Sequence, residues 1–354
     1  MKQLFVSDLP QQENQTITAF FLVQMKSLRT TREGKPYLAL RLGDRTGTVE
    51  ARMWDEVETV ASGFDQSDVV KVEGTVENYR GEWQLKLRRL RRAQPDEVES
   101  VDFLPQTKED VEALYAELLT TARSVANEHL RALLLSVLED PELVPRLKRA
   151  PGAKTIHHAF LGGLLEHVVS LCRLSRLAAQ NYPEVDLDLL LTGAVLHDLG
   201  KIYELSYERA LDYTTEGNLL GHISIAQDIL TRKMEAIPGF PERLRALVLH
   251  LLLSHHGRLE FGSPVTPKMR EAVLLNFLDD IDSKMEAMRA SLAAADSADR
   301  ESDWTDWNRA LDRPVLRRER FMGEAPAAKE PPKGESGKLF EAEPSSRSLG
   351  TKKP

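Results

Sequence analysis

The sequence has little of what marks secreted, membrane-embedded or fibrous proteins. Only one cysteine is present, Cys172, so no internal disulfide can form, and a reducing cytoplasm is the expected compartment. Met1 is followed by neither a charged-then-apolar leader nor a cleavage site, and apolar runs such as 187–196 are too short to cross a bilayer. We therefore expect a soluble cytoplasmic protein with no membrane partner.

Negative charge outnumbers positive charge over the whole chain, and the two are unevenly distributed. The formal net charge of the 354 residues is -8, which argues against a general nucleic-acid coat protein, because phosphate binding needs local positive charge. Residues 16–93 nevertheless hold 14 Lys and Arg against 11 Asp and Glu, so their net charge is +3 while the rest of the chain is at -11. This contrast predicts a separate N-terminal domain.

Residues 16–93 show short stretches of alternating apolar and polar residues separated by turn residues, which is typical of β-strands. The strands are predicted at 17–25, 37–42, 48–54, 69–77 and 83–89, with a brief helix at 55–62. A helix between the third and fourth strands is the order of an OB-fold, a small barrel that binds oligonucleotides, proteins or sugars.

The pattern changes after Pro95. Apolar residues then recur with a period of 3.6, which predicts amphipathic helices from about 108 to 290. The last thirty or so residues are rich in Pro, Glu, Lys, Ser and Gly, and this composition predicts a disordered tail. We therefore predict a multidomain chain: an all-β OB-fold barrel at 1–98, an all-α domain at 99–322 and a disordered C-terminal tail at 323–354.

Eight of the nine histidines lie between residues 156 and 257, and this clustering indicates chemistry. The central motif is His197-Asp198-Leu199-Gly200-Lys201, at the end of the apolar helix 187–196. An adjacent imidazole and carboxylate at a helix end can turn toward one cavity, Gly200 can close the helix, and Lys201 can reach a bound anion. The other candidate ligands are His167, His222, His255, His256 and Asp279. Asp280 competes with Asp279, but the register of the helix favours Asp279.

This ordered set resembles the ligands of the HD-domain metal-dependent phosphohydrolases, in which a His, a His-Asp pair and an Asp follow one another. With a barrel in front, and with GGLLEH at 162–167, HDLGK at 197–201 and SHHG at 254–257, residues 15–300 are similar to the YhaM-type 3′-to-5′ exoribonucleases. The resemblance implies manganese-dependent removal of nucleotides from the 3′ end of single-stranded RNA, and sometimes of single-stranded DNA. The OB-fold would hold the strand.

Mixed imidazole and carboxylate ligands favour manganese, iron, cobalt or zinc over magnesium, and two Mn²⁺ ions are the expected cofactor. One ion is assigned to His167, His197, Asp198 and Asp279, and the other to Asp198, His222, His255 and His256. Two ions roughly 3.5 to 4 Å apart can activate water and stabilise both oxygens of a phosphodiester displacement. Alternatively, His222 caps the helix 223–230, and one of the two adjacent histidines contacts substrate instead of metal.

Three residues are predicted to act in catalysis beside the ligands. Asp198 would bridge the ions, Lys201 would hold a phosphate oxygen, and Asp282 would orient a ligand imidazole or the attacking water.

Several side chains are predicted to hold the strand. Tyr37, Arg41, Arg52 and Trp54 share the polar side of adjacent strands, and aromatics interleaved with arginines suit base stacking. Lys35 and Lys86 would extend the phosphate path, and His158 would touch the substrate phosphate. The alternative is that the aromatics only cover the open barrel and the charges are only solvated.

The predicted function is a metal-dependent 3′-to-5′ exoribonuclease that releases nucleoside monophosphates, with polarity and RNA preference resting on the resemblance. One alternative is a phosphohydrolase of mononucleotides, cyclic nucleotides or small phosphoesters, with a regulatory OB-fold. The other is a non-catalytic single-strand-binding protein. The sequence does not decide whether the protein forms a homo-oligomer.

Overall fold

A computed structural model describes residues 2–31, 33–79, 81–154, 158–207, 211–297 and 301–323. The predicted C-terminal tail lies outside the described residues from position 324 onward.

The N-terminal part of the chain is a closed β-barrel with neighbouring strands in the order β1-β2-β3-β5-β4. Its elements are β1 (Thr16–Thr30), β2 (Pro36–Asp44), β3 (Gly47–Met53), α1 (Val57–Ala61), β4 (Val69–Tyr79) and β5 (Glu82–Arg92). Strands β3 and β5 run parallel, whereas β1 pairs antiparallel with both β2 and β4. This arrangement confirms the predicted OB-fold.

Alternation along the strands builds the barrel interior. Leu38, Leu40 and Leu42 on β2 are fully buried, as are Phe21 on β1 and Val70 on β4. Successive side chains of a strand point to opposite faces, so every second residue enters the core and those between face outward. The outward positions therefore carry the polar and aromatic candidates for strand binding.

The second part of the chain is helical, which confirms the predicted all-α domain. Its longer helices are α2 (Val111–Ser124), α3 (Glu128–Leu138), α4 (Leu143–Arg149), α5 (Gly163–Asn181), α6 (Leu187–Leu196), α8 (Thr215–Glu235), α9 (Glu242–Ser254) and α10 (Arg270–Ser297). The short elements are α7 (Lys201–Glu204), the two-stranded β6 (Leu205–Ser206) and β7 (Asp212–Tyr213), and α11 (Arg318–Phe321).

Helix α6 lies at the centre of this domain. All of its residues from Leu189 to Leu196 are buried, and it packs against α5, α9 and α10. A helix that is apolar on every face is stable only when it is surrounded, so its sequence dictates this central position. The residues that follow its C-terminus therefore begin inside the domain and not at its surface.

The barrel and the helical domain share a small apolar contact. Leu22 of β1 packs with Phe103, Leu104 and Leu161. The backbone N–H of Arg45 also donates to the carbonyl of Asp102 at 3.1 Å. The predicted domain boundary at residues 98 and 99 stays a prediction.

Residues 301–323 return to α10. Leu311 and Val315 pack on Ala287, and Asn308 donates to the Ser291 hydroxyl at 2.6 Å.

Among the described residues, no helix is long and apolar enough to span a membrane.

Candidate metal centre

The His-Asp motif lies where α6 ends. His197 caps the helix and Asp198 follows it, and both side chains are buried. The Nε2 atom of His197 lies 3.3 Å from Oδ2 of Asp198 and 3.3 Å from Nε2 of His167 on α5. The end of a buried helix thus places an imidazole and a carboxylate side by side in the interior of the domain.

Gly200 has a different role from the expected one. Its φ of −63° is helical, and it precedes the first residue of α7 instead of closing α6 in a left-handed turn. A Cβ at this position would lie 2.0 Å from the carbonyl oxygen of His222. Glycine is required because α7 approaches the backbone of α8 too closely for any side chain. The prediction that Gly200 closes the helix was therefore wrong.

The first group of candidate ligands joins α5, the His-Asp motif and α10. Nε2 of His167 lies 3.3 Å from Oδ1 of Asp279 and 3.8 Å from Oδ2 of Asp198. Ligand atoms of His167, His197 and Asp279 all lie within 4.8 Å of one another. Asp280 instead pairs with Lys284 at 2.7 Å on the outer side of α10. Of the two competing aspartates, Asp279 is therefore the one that faces this group.

The second group joins α8 and the end of α9. Ligand atoms of His222, His255 and His256 lie within 4.8 Å of one another. Oδ1 of Asp198 lies 3.6 Å from Nε2 of His222 and 3.7 Å from Nε2 of His255. His222 follows Gly221, whose φ of 71° and ψ of 156° interrupt α8, so the predicted helix 223–230 is the later part of a longer, kinked one. Asp198 turns one oxygen toward each group.

Three buried atoms at this point lack a hydrogen-bond partner within the described part of the chain: Oδ1 of Asp198, Nε2 of His222 and Nε2 of His255. Buried polar atoms are normally paired, so three unpaired ones facing each other call for a further group between them. Imidazole nitrogens and a carboxylate oxygen are the ligand types that bind Mn²⁺, Fe²⁺ or Zn²⁺. The donor set therefore fits a divalent cation.

The other ring nitrogen of each candidate histidine faces an oxygen that can only accept. In the neutral form of each ring, Nδ1 carries the proton in such a contact, and Nε2 then has its lone pair available for a metal. These Nδ1 contacts are His167 to Asp282 Oδ2 at 2.7 Å, His197 to the Ala194 carbonyl at 3.1 Å, His222 to Glu204 Oε1 at 3.0 Å, His255 to the Leu252 carbonyl at 2.6 Å and His256 to the Phe261 carbonyl at 2.8 Å.

Two carboxylates lie behind candidate ligand histidines, Asp282 behind His167 and Glu204 behind His222. Asp282 accepts from His167, from Nε2 of His158 at 2.9 Å and from the Ser170 hydroxyl. The oxygens of Asp282 are thus engaged with neighbouring side chains, one of which is the candidate ligand His167. Sequence reasoning missed Ser170 and Glu204. The available signal was spacing, since Ser170 follows His167 and Glu204 follows Lys201 by about one helical turn.

The charges in the centre favour a cation. Burial lowers the pKa of His255 well below its usual range, and the neighbouring His197 and His256 lower it further, so this ring is neutral. Burial also opposes a charge on His167, but the carboxylates of Asp279 and Asp282 outweigh it and raise the pKa of this imidazole to about 9. The carboxylates therefore attract positive charge even to a fully buried ring.

Lys201 lies directly beside the carboxylate of Asp198. Its Nζ is 2.6 Å from Oδ2 of Asp198, and its side chain is largely buried. Burial disfavours the ammonium, yet Asp198 raises the pKa of Lys201 above its ordinary value, so the group is a cation at neutral pH. Burial likewise opposes ionisation of Asp198, but Lys201 and His197 hold the pKa of this carboxyl well below its usual range.

The barrel candidates fall into two sets, those whose side chains already contact another side chain and those without an acidic partner among the described residues. The rings of Tyr37 and Trp54 stack with centroids 4.7 Å apart. Arg41 donates to Glu50 at 2.9 Å, and Nζ of Lys35 lies 3.8 Å from Asp55.

Arg52 and Lys86 form the second set. They are register partners on β3 and β5, both are exposed, and neither has an acidic group within 4 Å among the described residues.

His158 is not at the barrel: it is buried behind His167 against Asp282, and not at an exposed phosphate-contact position.

Comparisons with known proteins agree with this architecture. The HD domain family matches residues 164–284, and a family described as an OB-fold nucleic acid binding domain matches residues 23–93. A protein of Bacillus velezensis named 3′-5′ exoribonuclease YhaM is 37% identical over 277 residues, which cover 78% of this chain and 87% of the relative. The protein of the same name from Bacillus subtilis is 35% identical over 277 residues, with the same coverage. Among solved structures, the single-stranded DNA binding protein from Thermus aquaticus matches 22% of this chain and 40% of its own, with 23% identity and a TM-score of 0.21.

Proposed function

The chain belongs to the family of 3′-5′ exoribonucleases named YhaM, and from this premise we propose that its buried centre hydrolyses the 3′-terminal phosphodiester of single-stranded RNA, with two Mn²⁺ ions as cofactor. Nucleoside monophosphates are the products, and single-stranded DNA is a second substrate. The observation that carries the proposal is the set of unpaired buried atoms on Asp198, His222 and His255. A binding protein without catalysis would have no use for them.

The ligands are proposed in two sets that share Asp198. His167, His197 and Asp279 complete one set, and His222, His255 and His256 complete the other, as the distances around Oδ2 and Oδ1 of Asp198 suggest. Divalent ions bound there supply activation of water and stabilise the charge on the scissile phosphate.

The remaining side chains position a ligand ring or neutralise charge on the phosphate. Lys201 is held at the bridging carboxylate as a cation, where it can pair with a non-bridging phosphate oxygen. Asp282 accepts from Nδ1 of His167, so it is a positioning residue that keeps Nε2 of that ring turned toward the ligands. We also propose residues 1–98 as the strand-binding domain, 99–322 as the hydrolase domain and 323–354 as the tail.

On the barrel, the proposal assigns backbone contacts to Arg52 and Lys86. Their lack of acidic partners among the described residues leaves both cations available to phosphate. Tyr37 and Trp54 would stack on bases with the ring faces that they do not share. Arg41 and Lys35 would have to exchange a carboxylate for a phosphate, so we expect them to contribute less.

The test is degradation of a 5′-labelled single-stranded RNA by the full chain, with Mn²⁺ or with a chelator. We expect a Mn²⁺-dependent ladder that shortens from the 3′ end and an initial rate at least about 100-fold lower in Asp198→Ala, because the bridging ligand is lost.

Asp280→Asn is the matched control, since this aspartate lies beside Asp279 but pairs with Lys284 on the outer side of α10. It should keep the wild-type rate within about twofold. Intact RNA in the presence of bound metal would contradict the proposal and point to small phosphoesters as substrates. Equal loss in both variants would contradict the assignment of the site.

A further inference from the structure

The loop after α9 carries a large exposed aromatic ring next to the second ligand group. Phe261 ends the 3-10 helix Leu259–Phe261, and its side chain is 64% exposed. Its carbonyl oxygen accepts from Nδ1 of His256 at 2.8 Å. The backbone that holds one candidate ligand in place is therefore the backbone that presents this ring.

Backbone hydrogen bonds within the loop fix the backbone that carries the ring. The backbone N–H of Gly262 donates to the Leu259 carbonyl at 3.0 Å, and that of Ser263 donates to the Arg258 carbonyl at 3.2 Å. Gly262 has a φ of +91°, a left-handed conformation that glycine adopts without strain. Ser263 is buried and fixes the far end of the turn. The exposure of Phe261 is thus a built feature of the loop.

A cation accompanies the ring. The guanidinium of Arg258 lies 5.8 Å from the centre of the Phe261 ring, and no carboxylate lies within 4 Å of it in the described ranges. An exposed aromatic face beside an arginine is the combination that proteins use for a nucleobase and its backbone.

The first turns of α8 carry exposed apolar residues as well. Leu219 and Leu220 are 78% and 53% exposed and precede His222, whose ring centroid is 5.1 Å from that of His256. Two exposed apolar segments therefore lead directly into the same ligand group. Because both segments adjoin this ligand group, a molecule that contacts them also reaches the metal centre. This favours the substrate over a protein partner as the occupant.

We propose that Phe261, assisted by Arg258, is the stacking site for the base of the 3′-terminal nucleotide. The inference rests on the proposed exonuclease function and deepens it. Stacking on a π-face tolerates every base, so the site holds the terminal nucleotide without reading its sequence. It would place the terminal phosphodiester at the centre while the barrel holds the upstream strand.

The test compares two 5′-labelled RNA decamers that differ only at the 3′ end, one with adenosine and one with an abasic ribose. Release of the terminal nucleotide is followed in a single turnover with the full chain in Mn²⁺. The wild-type protein should process the adenosine end about 10-fold faster, since one stacked base is worth roughly that factor. Phe261→Ala should reduce this ratio to within about twofold of unity, and Phe261→Trp should restore it.

Phe321→Ala is the matched control, because this ring is 61% exposed but lies on α11. It should keep the wild-type ratio, and Mn²⁺ binding should be unchanged in Phe261→Ala, since the backbone acceptor of His256 remains. Equal slowing of both RNAs by Phe261→Ala overturns the inference. A change in sedimentation without a base-dependent effect also overturns it and assigns the ring to a contact between copies.

A wild-type protein that degrades RNA but does not distinguish the two ends overturns the inference alone. One that leaves both RNAs intact overturns the proposed function, and this inference with it.

Discussion

His222 depends on a carboxylate from a neighbouring element. Glu204, the last residue of α7, accepts both from the ring Nδ1 of His222 at 3.0 Å and from its backbone N–H at 3.0 Å. Burial opposes ionisation of Glu204, but its contacts with His222 outweigh this and lower the pKa of the carboxyl. One anion therefore sets both the ring orientation and the backbone position immediately after the kink at Gly221.

At the scale of this residue, we expect Glu204→Ala to weaken Mn²⁺ binding by about 10- to 100-fold, because the His222 ring loses the partner that fixes its tautomer and orientation. Glu204→Gln should lie between this variant and the wild type, since an amide oxygen can accept the same hydrogen bond without the charge. Binding of Mn²⁺ is measured by electron paramagnetic resonance, with circular dichroism as the check of folding.

The control for this prediction is Glu216→Gln, an exposed acid in the first turn of α8. It should bind Mn²⁺ like the wild type. Wild-type affinity in Glu204→Ala would show that the carboxylate has no part in positioning His222.

Among the elements, α8 matters because it carries His222 into the centre. Near its C-terminal end, Lys233 donates to Asp140 at 2.6 Å and to the Ser136 carbonyl at 2.8 Å. Both partners belong to α3 or to the turn after it. This ion pair, together with buried side chains such as Leu230 and Met234, docks the later half of the kinked helix.

Asp140→Asn should lower the free energy of unfolding by about 1 kcal/mol at pH 7. The reason is that a partly exposed, charge-assisted hydrogen bond contributes roughly that much to stability. The hydrogen bond from Lys233 lowers the pKa of Asp140 from its ordinary 3.8. A carboxyl with a depressed pKa stabilises the fold above its unfolded pKa and loses this contribution as the pH falls through its folded pKa. The difference between variant and wild type should therefore shrink as the pH falls below 3.8 and disappear below the folded pKa of Asp140.

Urea unfolding at pH 7 and at low pH measures this difference. Asp228→Asn is the control on the same helix, because Asp228 forms an exposed i,i+4 pair with Arg232 at 2.7 Å. It should change the stability by less than about 0.5 kcal/mol. A stability loss in Asp140→Asn that persists unchanged in acid would contradict the ionic explanation.

For the whole molecule, the separation of charge assigns different tasks to the two domains. The barrel region carries a net charge of +3 in a chain whose remainder is at -11. We therefore expect a strand of RNA to be attracted to the barrel more than to the helical domain. The apolar contact of Leu22 with Phe103 and Leu104 keeps the barrel attached to the domain that holds the centre.

The double variant Arg52→Ala, Lys86→Ala should weaken binding of single-stranded RNA and reduce the salt slope by about 1.4, since each lost phosphate contact on a single strand is worth roughly 0.7. Hydrolysis of bis(p-nitrophenyl) phosphate should be unchanged, because this small ester has no strand to hold. Fluorescence anisotropy at several salt concentrations measures the slope. Arg232→Ala, which removes an exposed cation from α8, should leave it unaltered.

Equal loss of ester hydrolysis in the double variant would show that these cations act at the centre. An unchanged slope would show that they do not contact the strand.

Much of this protein could be predicted from local patterns. Alternation with a period of two places Leu38, Leu40 and Leu42 in the barrel core, and the change of period after Pro95 predicts the helices. Both signals are local, because each periodicity is visible among residues that lie only a few positions apart in the sequence. The order of histidines and aspartates, through its resemblance to the HD-domain phosphohydrolases, also predicts the candidate ligands, whose roles stay predictions.

The sequence by itself determined the two fold classes, because hydrophobic periodicity dictates secondary structure before any long-range contact forms. Only the tertiary structure decided which side chains meet. It placed His158 against Asp282, set Glu204 behind His222, and made Gly200 a point of close approach between α7 and α8. Such contacts join residues that are distant in the chain or depend on the direction of one side chain. Spacing along a sequence carries neither kind of information.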